Sequence, residues 1–410
     1  MKIAVLTSSF PRYLGDYHGN FVYYLAREQV KRGNDVYVIC PHIPGTHLHE
    51  VLEGSKIHRF PYFYPCSWQR LFSDTGMDSA LRHSFLAWLQ LPLFFLCEGY
   101  SAGRIIRQEK IELIHTHWLV PQGLVGALLH HLTGIPHIVT IHGSDLNILK
   151  THTFLHPVCR FITRNSTMIT VNSRYMNQQL LTVSPEAGQK VQVIPMGIDP
   201  ERSGAASITD MKQRHNAGHL ILCVGRLIDW KGTKFLIAAM PAVLEKFPDT
   251  KLIIIGTGPE RDGLTRNVRE LGISDQVEFS GAISAADLPS YYRSADVFVL
   301  PSINRAGKTE GLGVVLLEAM ASGCPVIGSN IGGIPDIITD GKNGFLVPEQ
   351  DPTALAEKII RIMSDAEMRE KFRKNGYARI QESFTWTAIA DQFSSVYSQV
   401  LGKLVHSGDL

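Results

Sequence analysis

Two cations lie five residues apart in a glycine-bounded loop in the second half of the chain. The loop has the sequence GRLIDWKG, from Gly225 to Gly232, and it follows a short apolar run that predicts a buried strand. Because such a loop opens a helix, backbone amides and the helix N-terminus add partial positive charge to Arg226 and Lys231. These groups together suit a pyrophosphate. Taken alone, the segment is equally typical of surface charges beside a helix.

Two glutamates, Glu310 and Glu318, mark a second candidate site. A loop of about ten residues leads into an apolar helix in which Glu318 is the only charged residue, and Gly311 and Gly313 allow backbone to approach a ligand closely. The two acids are not placed as a side-by-side hydrolytic pair, so we expect each to meet a different part of one elongated ligand. A carboxylate in an apolar helix is costly unless it is paired or bound. The vicinal hydroxyls of a ribose would satisfy Glu318, and so would a structural cation.

The apolar runs predict two successive series of strands and helices that position these loops. In the first half we expect strands at 2–7, 36–40, 112–116, 137–141, 168–171 and 191–194, and a helix from Gly19 to Lys31. In the second half we expect strands at 220–224, 251–255, 276–279, 296–299, 325–327 and 344–347, with helices at 232–247, 259–271, 285–293 and 311–322. The pattern predicts two parallel sheets, and such sheets bind ligands at the carboxyl ends of their strands.

Composition and charge are those of a globular protein with two domains. The chain has 410 residues, 44% of them hydrophobic and 19% charged. The net charge of +2 divides into +4 for residues 1–200 and −2 for the rest. The basic half favours an anionic partner, such as a phospholipid or a polyprenyl-phosphate acceptor, or is simply a solvated basic surface. We expect no nucleic-acid partner.

The six cysteines and the apolar segments indicate where the protein acts. The cysteines lack CxxC spacing and read as core thiols of a reducing compartment, which predicts a cytoplasmic protein. The longest apolar stretch, Phe85 to Cys97, is too short to span a membrane. The wider segment from Leu81 to Ile106 is apolar almost all round and contains Pro92, which favours a buried core; the alternative is a helix in a membrane interface that delivers a lipid-linked acceptor. The pattern of residues 60–100 as a whole does not define elements.

These motifs and their order resemble the retaining glycosyltransferases with the GT-B fold. That large family, the glycosyl transferases group 1, includes sucrose synthase and the phosphatidylinositol mannosyltransferases. The stretch Glu310 to Glu318 resembles the family's two acids separated by seven residues, and VGRLIDWKG resembles its phosphate loop. IPMGID resembles its interdomain linker, SGCPVIGSNIGGIPDII the segment after the acid motif, and TSSFPRYLGDYHGNFV the N-terminal acceptor loop. One departure is that Gly15 and Gly19 are separated, where many members have adjacent glycines.

The resemblance implies a role for each candidate residue. Glu318 would hold the ribose hydroxyls, Arg226 and Lys231 would neutralise the diphosphate, and Glu310 would bind hydroxyls of the transferred sugar. His142 would contact the donor sugar from the N-terminal domain, and Gly19 would open a helix beside the diphosphate and the acceptor. The backbone positions implied at the donor are Ala282 and Ile283 for the base edge, and Gly311, Leu312, Gly313 and Val314 for the sugar and phosphate.

Other constellations carry weaker signals. His117 and Trp118 end a strand and are candidates for an acceptor site, and alternation places His115 on the same face as His117, which invites a metal interpretation. No third ligand is near in sequence, the chain has no DxD motif, and we expect neither a metal nor a cofactor. The pair Gly256 and Gly258 follows a strand but lacks the third glycine of a dinucleotide fingerprint.

The sequence therefore predicts an α/β protein of the GT-B class, with two Rossmann-like, doubly wound parallel-sheet domains that face a central cleft. We expect an N-terminal acceptor domain over 1–197, a nucleotide-sugar domain over 198–384, and a helix over 385–410 that packs back on the first domain. The predicted activity is that of a retaining hexosyltransferase that moves a sugar from a nucleotide-diphosphate donor to a hydroxyl acceptor, which is a glycan, a glycolipid or a small compound. A nucleotide-sugar epimerase and a non-catalytic sugar-nucleotide-binding scaffold are the alternatives. Peripheral contact with the inner face of a membrane stays open.

Overall fold

The computed structural model of the chain describes residues 1–13, 15–16, 19–72, 76–200 and 210–407. The chain forms two compact units. Unit 1 comprises Met1–Asn172, Met176–Ile194 and the chain from Ile389 onward, and unit 2 comprises Ser173–Tyr175 and Pro195–Ala388.

The sheet of unit 1 is built from the first eight strands. They are β1 (Lys2–Leu6), β2 (Asp35–Pro41), β3 (His49–Leu52), β4 (Ser55–Phe60), β5 (Leu113–His117), β6 (His137–Ile141), β7 (Met168–Val171) and β8 (Val191–Val193). Their order is β3-β4-β2-β1-β5-β6-β7-β8, and all neighbours are parallel except the antiparallel pair β3–β4. The strands predicted from the sequence are confirmed to within one or two residues, whereas the hairpin β3–β4 was not predicted.

The described residues up to β8 form seven α-helices. They are α1 (Asn20–Lys31), α2 (Gly76–His83), α3 (Phe85–Glu109), α4 (Leu124–Thr133), α5 (Ser144–Thr151), α6 (His156–Arg164) and α7 (Arg174–Val183). The 25-residue helix α3 occupies the last part of the segment 60–100, which the sequence pattern did not define. It runs through Pro92 without a break. Pro92 is exposed, so the backbone carbonyl that loses its donor lies on the solvent side of the helix.

The prediction that the apolar segment Leu81 to Ile106 is buried core is wrong for one face of α3. Phe94, Ala102 and Ile105 are buried in the core of unit 1. Six other apolar residues of the helix are exposed: Phe85, Trp88, Leu89, Leu93, Leu96 and Tyr100. Composition alone could not separate the two faces because both are apolar.

The sheet of unit 2 is entirely parallel. Its strands are β9 (His219–Val224), β10 (Thr250–Ile255), β11 (Val277–Gly281), β12 (Val297–Leu300), β13 (Val326–Ser329) and β14 (Phe345–Val347), in the order β11-β10-β9-β12-β13-β14. Along β9, Leu220 and Leu222 pack into one core cluster while Ile221 and Cys223 pack into another. Because both faces of the sheet are covered, the strand is apolar without alternation.

The remaining helices lie between residues 211 and 407. They are α8 (Met211–Arg214), α9 (Thr233–Lys246), α10 (Arg261–Glu270), α11 (Leu288–Ser294), α12 (Val314–Ala321), α13 (Ile334–Ile337), α14 (Pro352–Ser364), α15 (Ala366–Ser383) and α16 (Trp386–Ser407). Helix α12 begins three residues later than predicted because Gly313 has φ of +95°, in the left-handed region. Glu318 therefore lies in the second turn of α12.

The end of the chain joins unit 1 through α16. Gln29 on α1 donates from Nε2 to the carbonyl of Ala390 over 3.0 Å, and Arg32 pairs with Asp391 at 2.7 Å. In unit 2, the segment resembling an interdomain linker is tied to the start of this helix, because Ile198 donates to Phe384 O and Trp386 donates back to Ile198 O.

Strand order decides where the site loops of unit 2 lie. The chain builds β9, β10 and β11 outward in one direction and then returns to place β12 on the other side of β9. The loops after β9 and β12 therefore leave the sheet side by side, at the switch point where ligands of such sheets bind.

A pair of helical glycines in unit 1 tests the packing. A Cβ at Gly126 on α4 would overlap the ring of His137 and the side chain of Thr116, whereas a Cβ at Gly99 on α3 meets nothing within 4 Å. We expect Gly126→Ala to lower the free energy of unfolding by about 1–3 kcal/mol, as overpacking does. Gly99→Ala should raise it by about 0.5–1 kcal/mol, because Ala costs less backbone entropy in a helix. Urea denaturation measures both, and equal effects of the two substitutions would contradict this packing.

Candidate functional site

The loops after β9 and β12 touch through their backbones. A Cβ at Gly232 would overlap the carbonyl oxygen of Pro301, so only glycine allows this approach. The amide of Ile303 donates to the carbonyl of Trp230 over 2.8 Å, and Arg305 pairs with Asp229 at 2.8 Å. These contacts bring the predicted phosphate loop and the predicted acid loop together.

An ion pair between Lys231 and Glu310 lies where the two loops meet. Lys231 Nζ is 2.6 Å from Glu310 Oε2, and the exposed fractions of the two side chains are only 14% and 12%. Ser302 also donates to Glu310 Oε2, over 3.1 Å. An ammonium has three N–H donors, so Lys231 can keep this bond and still bind an anionic ligand.

Arg226 presents a cation from the same loop. Its side chain is exposed and makes no ion pair with any described residue. Gly256 and Gly258 explain the shape of this loop, since a Cβ at either would overlap the carbonyl oxygen of Gly225 or Leu227 respectively. The glycine pair that partly resembled a dinucleotide fingerprint thus supports the loop that carries Arg226.

A second pair of glycines supports the acid loop. A Cβ at Gly332 would overlap Glu310 O, and one at Gly333 would overlap Gly311 O. The amide of Gly333 donates to Glu310 O over 3.0 Å. Gly332 and Gly333 therefore hold the backbone of Glu310 and Gly311 in place. These two glycines belong to the segment that resembles the family's sequence after the acid motif.

Among the residues that the structure describes, Glu318 is paired with a tyrosine and not with a cation. Tyr292 on α11 donates its hydroxyl to Glu318 Oε2 over 3.0 Å. Burial raises the pKa of the Glu318 carboxyl, and the hydrogen bond from Tyr292 opposes that rise. No cation in the described part of the chain pairs with Glu318, so the structural cation that the sequence left open is not found there. Nothing in the sequence around Tyr292 signals this contact.

The predicted base-edge residues Ala282 and Ile283 follow β11, two strands away from β9. Ala282 is exposed, and Ile283 is partly buried against the core of unit 2. Leu312 is buried in the same core, and the amide end of α12 has no side-chain cap. Unit 2 therefore contributes backbone positions at the carboxyl edge of its sheet, together with Arg226, Lys231 and two acids.

The candidates of unit 1 meet around His142. Its Nε2 lies 3.0 Å from Nδ1 of His117, with the two rings stacked at 5.2 Å. The rings of Phe21 and Trp118 lie 4.5 and 5.0 Å from that of His142. Gly19 forms the N-cap of α1 at φ of +64°, where a Cβ would overlap Ser9 O. The first turn of α1 thereby reaches the His142 ring.

Asp145 holds the loop that carries His142, and sequence reasoning missed it. This buried carboxylate accepts from the amides of Gly143 and Leu146 at 2.8 and 3.2 Å, and from the amide of Leu119 at 3.2 Å. It therefore joins the loop after β6 to the residues after β5. Its position at the start of a helix directly after a strand was an available signal.

The histidines of this region are neutral groups within a hydrogen-bonded core. His115 bonds Tyr397 Oη at 2.8 Å and Thr140 Oγ1 at 2.7 Å. Burial lowers the pKa of His115, His137 and His142 to about 3 each, and lowers the pKa of His117 well below its usual value. Over the described ranges, no three His, Cys, Asp or Glu side chains are grouped to hold a metal ion.

Comparison with known proteins identifies relatives over the whole chain. Residues 18–202 match the family Glycosyltransferase Family 4, and residues 208–379 match Glycosyl transferases group 1. An uncharacterized glycosyltransferase of Methanocaldococcus jannaschii is 30% identical over 413 residues, which cover 97% of this chain and 98% of that protein.

Two further relatives extend the comparison. A GDP-mannose-dependent alpha-(1-6)-phosphatidylinositol monomannoside mannosyltransferase of Mycolicibacterium smegmatis is 30% identical over 64% of this chain and 70% of its own length. Among solved structures, a sucrose-phosphate synthase from Thermosynechococcus elongatus superposes with a TM-score of 0.77 at 26% identity, over 98% of this chain and 100% of that one.

The buried histidines predict how stability depends on pH. The folded chain protonates His115, His137 and His142 only near pH 3, whereas the unfolded chain does so near 6.5. The unfolded state therefore binds more protons, and the free energy of unfolding falls as pH falls below 6.5, by about 1.4 kcal/mol per histidine per pH unit. Burial raises the pKa of Glu98 to about 8, so its contribution to the free energy of unfolding is lost as pH rises from 4.5 to 8. Glu98 therefore opposes the effect of the histidines.

Three buried acids, Glu98, Asp145 and Glu318, have raised pKa values and oppose the histidines. The histidines with lowered pKa number four, His115, His117, His137 and His142, so we expect the urea midpoint to fall between pH 6.5 and 4.5. His142→Asn should make the slope shallower by about one proton, because one group that titrates only in the unfolded state is removed. A midpoint that is constant between pH 6.5 and 4.5 would contradict neutral burial of these rings.

Proposed function

Because the chain belongs to the glycosyl transferases group 1 family and has the GT-B fold, we propose that it transfers a sugar from a nucleotide-diphosphate donor to a hydroxyl acceptor with retention of anomeric configuration. The observation that carries the proposal is the enclosed pair of Lys231 and Glu310. We assign its cation to the diphosphate and its carboxylate to the transferred sugar. Unit 2 binds the donor in this proposal, and unit 1 the acceptor.

The donor site uses the charges of unit 2. Arg226, Lys231 and the uncapped amides at the start of α12 face the diphosphate and stabilise the negative charge that develops as the bond from the anomeric carbon to the phosphate oxygen breaks. The acceptor oxygen forms the new bond to that carbon, and its proton passes to the leaving phosphate. No metal ion or other cofactor takes part.

Glu310 and Glu318 fix the two ends of the donor. Glu310 accepts from hydroxyls of the transferred sugar while Ser302 and Lys231 hold its carboxylate in place. Glu318 accepts from the ribose hydroxyls and Tyr292 orients it. Ala282 and Ile283 offer backbone to the edge of the base.

In unit 1, the proposal assigns roles to His142 and its neighbours. His142 is neutral at physiological pH, so it donates a hydrogen bond to a sugar hydroxyl without adding charge beside the reacting carbon. His117 and Asp145 position it, through the 3.0 Å ring contact and through the loop amides. Gly19 and Trp118 adjoin the acceptor. The six unpaired cysteines favour a cytoplasmic location.

Removal of either phosphate-binding cation should slow transfer. We expect Arg226→Ala and Lys231→Ala each to lower kcat/KM by about 100-fold or more, the scale of one lost transition-state donor. A thermal-shift screen over nucleotide sugars first identifies the donor, and nucleotide release then measures the rate.

Lys234→Ala is the matched control, because Lys234 is an exposed lysine three residues along on α9 and outside the loop contacts. It should leave the rate unchanged. Circular dichroism verifies folding of Lys231→Ala, in which Glu310 loses its partner. Losses below threefold in both folded loop variants would remove Arg226 and Lys231 from the site.

The stereochemistry and metal requirement are tested separately. We expect the product to keep the anomeric configuration of the donor, and activity to survive EDTA because Arg226, Lys231 and helix amides supply about two positive charges. Product NMR reads the configuration, and inversion would refute the retaining mechanism while leaving the donor site intact. Activity that is lost in EDTA and restored by magnesium or manganese would show that the two cations do not suffice.

A further inference from the structure

We propose that the exposed face of α3 is a docking surface for an anionic lipid bilayer, with the helix lying in the plane of the membrane interface. The apolar stripe consists of six residues: Phe85, Trp88, Leu89, Leu93, Leu96 and Tyr100. The shape of the stripe, its residue types and its flanking charges all fit a lipid bilayer as the partner. Binding of the bilayer does not depend on catalysis. The further idea that this binding presents a lipid-linked acceptor to the protein rests on the proposed function.

The stripe is continuous along one side of the helix. Phe85, Leu89, Leu93, Leu96 and Tyr100 recur at intervals of three and four residues, and Trp88 lies beside Leu89 at the edge of the same face. The stripe extends over about 22 Å at 1.5 Å per residue. Phe85, Leu96 and Tyr100 are 79%, 69% and 72% exposed. Nothing among the described residues covers this face, and an exposed apolar patch of this extent marks an interaction surface.

The opposite side of α3 fixes the helix in place. Ala87, Phe94, Ala102 and Ile105 are buried in the core of unit 1. Trp88 donates its indole N–H to the carbonyl of Leu81 over 2.8 Å, which orients the ring without a partner from outside. The exposed stripe is therefore a fixed feature of the folded unit.

A neighbouring segment adds two aromatic rings. Tyr64 and Trp68 are exposed, and Gln90 of α3 ties their segment to the helix. Gln90 donates from Nε2 to Trp68 O over 2.8 Å and accepts from the amide of Arg70 over 2.9 Å. Tryptophan and tyrosine are the residues that favour the boundary between headgroups and acyl chains.

The charges around the stripe are basic at both ends. Arg82 precedes it, and exposed Arg104 and Arg107 follow it on the same side of the helix. Between residues 79 and 108 the only acid is Glu98, which is buried. Cations that flank an apolar stripe suit anionic headgroups, each contributing about 1 kcal/mol near a charged surface.

The same charges disfavour a second copy of the chain as the occupant. Both ends of the stripe are basic, so either parallel or antiparallel pairing of two stripes would bring arginines against arginines. The stripe is also the convex face of one helix and not a groove. No described helix is long and apolar enough to cross a membrane, which leaves the in-plane arrangement for α3.

Flotation of the full chain with vesicles tests the surface. Vesicles of phosphatidylcholine with phosphatidylglycerol should bind the protein at low salt, and vesicles of phosphatidylcholine alone should bind it more weakly. Replacement of Leu89, Leu93 and Leu96 together by Gln should lower the bound fraction at least about tenfold, because apolar burial drives interfacial binding. Arg104→Glu with Arg107→Glu should do the same and remove the salt dependence.

Exposed residues of unit 2 supply the controls. Leu271→Gln with Tyr377→Gln removes comparable exposed apolar groups, and Lys374→Glu removes an exposed cation; both variants should float like the wild type. Absence of binding at low salt, or equal binding by the stripe variant, would overturn the proposal. So would a dimer in solution that the stripe variant abolishes while nothing floats.

Donor cleavage separates this inference from the proposed function. The stripe variants should retain nucleotide release with a water-soluble acceptor, since no stripe residue lies in the donor site. Vesicle binding without any nucleotide release would leave the surface standing and refute the transferase proposal. Nucleotide release without vesicle binding would refute the surface alone.

Discussion

The ion pair between Lys231 and Glu310 is the interaction on which the candidate donor site depends. It joins two loops that are 79 residues apart in the chain, and it forms only because backbone from one loop reaches backbone from the other. Gly232 allows contact with Pro301, and Gly332 allows contact with Glu310 itself, where a side chain would collide. The glycines thus have an indirect effect. Because they let the two loops approach closely, the partly enclosed ammonium of Lys231 and carboxylate of Glu310 can form an ion pair. A pair shielded from water interacts more strongly than an exposed pair, but it is stable only while both partners keep their hydrogen bonds.

Unit 1 arranges its polar groups on a different physical basis. The strand ends carry neutral imidazoles that bond to one another and to hydroxyls, as His115 does with Tyr397 and Thr140. Burial keeps these rings uncharged, so they can orient a neighbour without an electrostatic field of their own. Unit 2 thus arranges charged groups at its strand ends, and unit 1 arranges neutral ones. The same burial that keeps His142 neutral also makes this unit sensitive to acid.

Helix α3 has a composition typical of a buried helix, but tertiary structure buries only one of its faces. One of its faces packs against the sheet through Phe94 and Ala102, and the other leaves Phe85 and Leu96 exposed. The exposed face is aromatic and leucine-rich with cations at both ends, which is costly in water and favourable at a bilayer interface. A protein that takes its acceptor from a membrane would gain from such a face, because the local concentration of a lipid-linked acceptor rises once the chain is bound.

The sequence by itself determined the two series of parallel strands, the loops that carry Arg226 and Glu310, and the family resemblance, because unbroken apolar runs and glycine-bounded loops are local patterns. It also indicated that Glu318 needs a partner. Only the tertiary structure decided that the partner is Tyr292, since the contact joins two helices and neither carries a local mark of it. The late start of α12 depends on the backbone conformation of Gly313, and the exposure of the α3 stripe depends on which face the sheet covers. These features arise from packing between distant segments, and periodicity along one segment does not encode them.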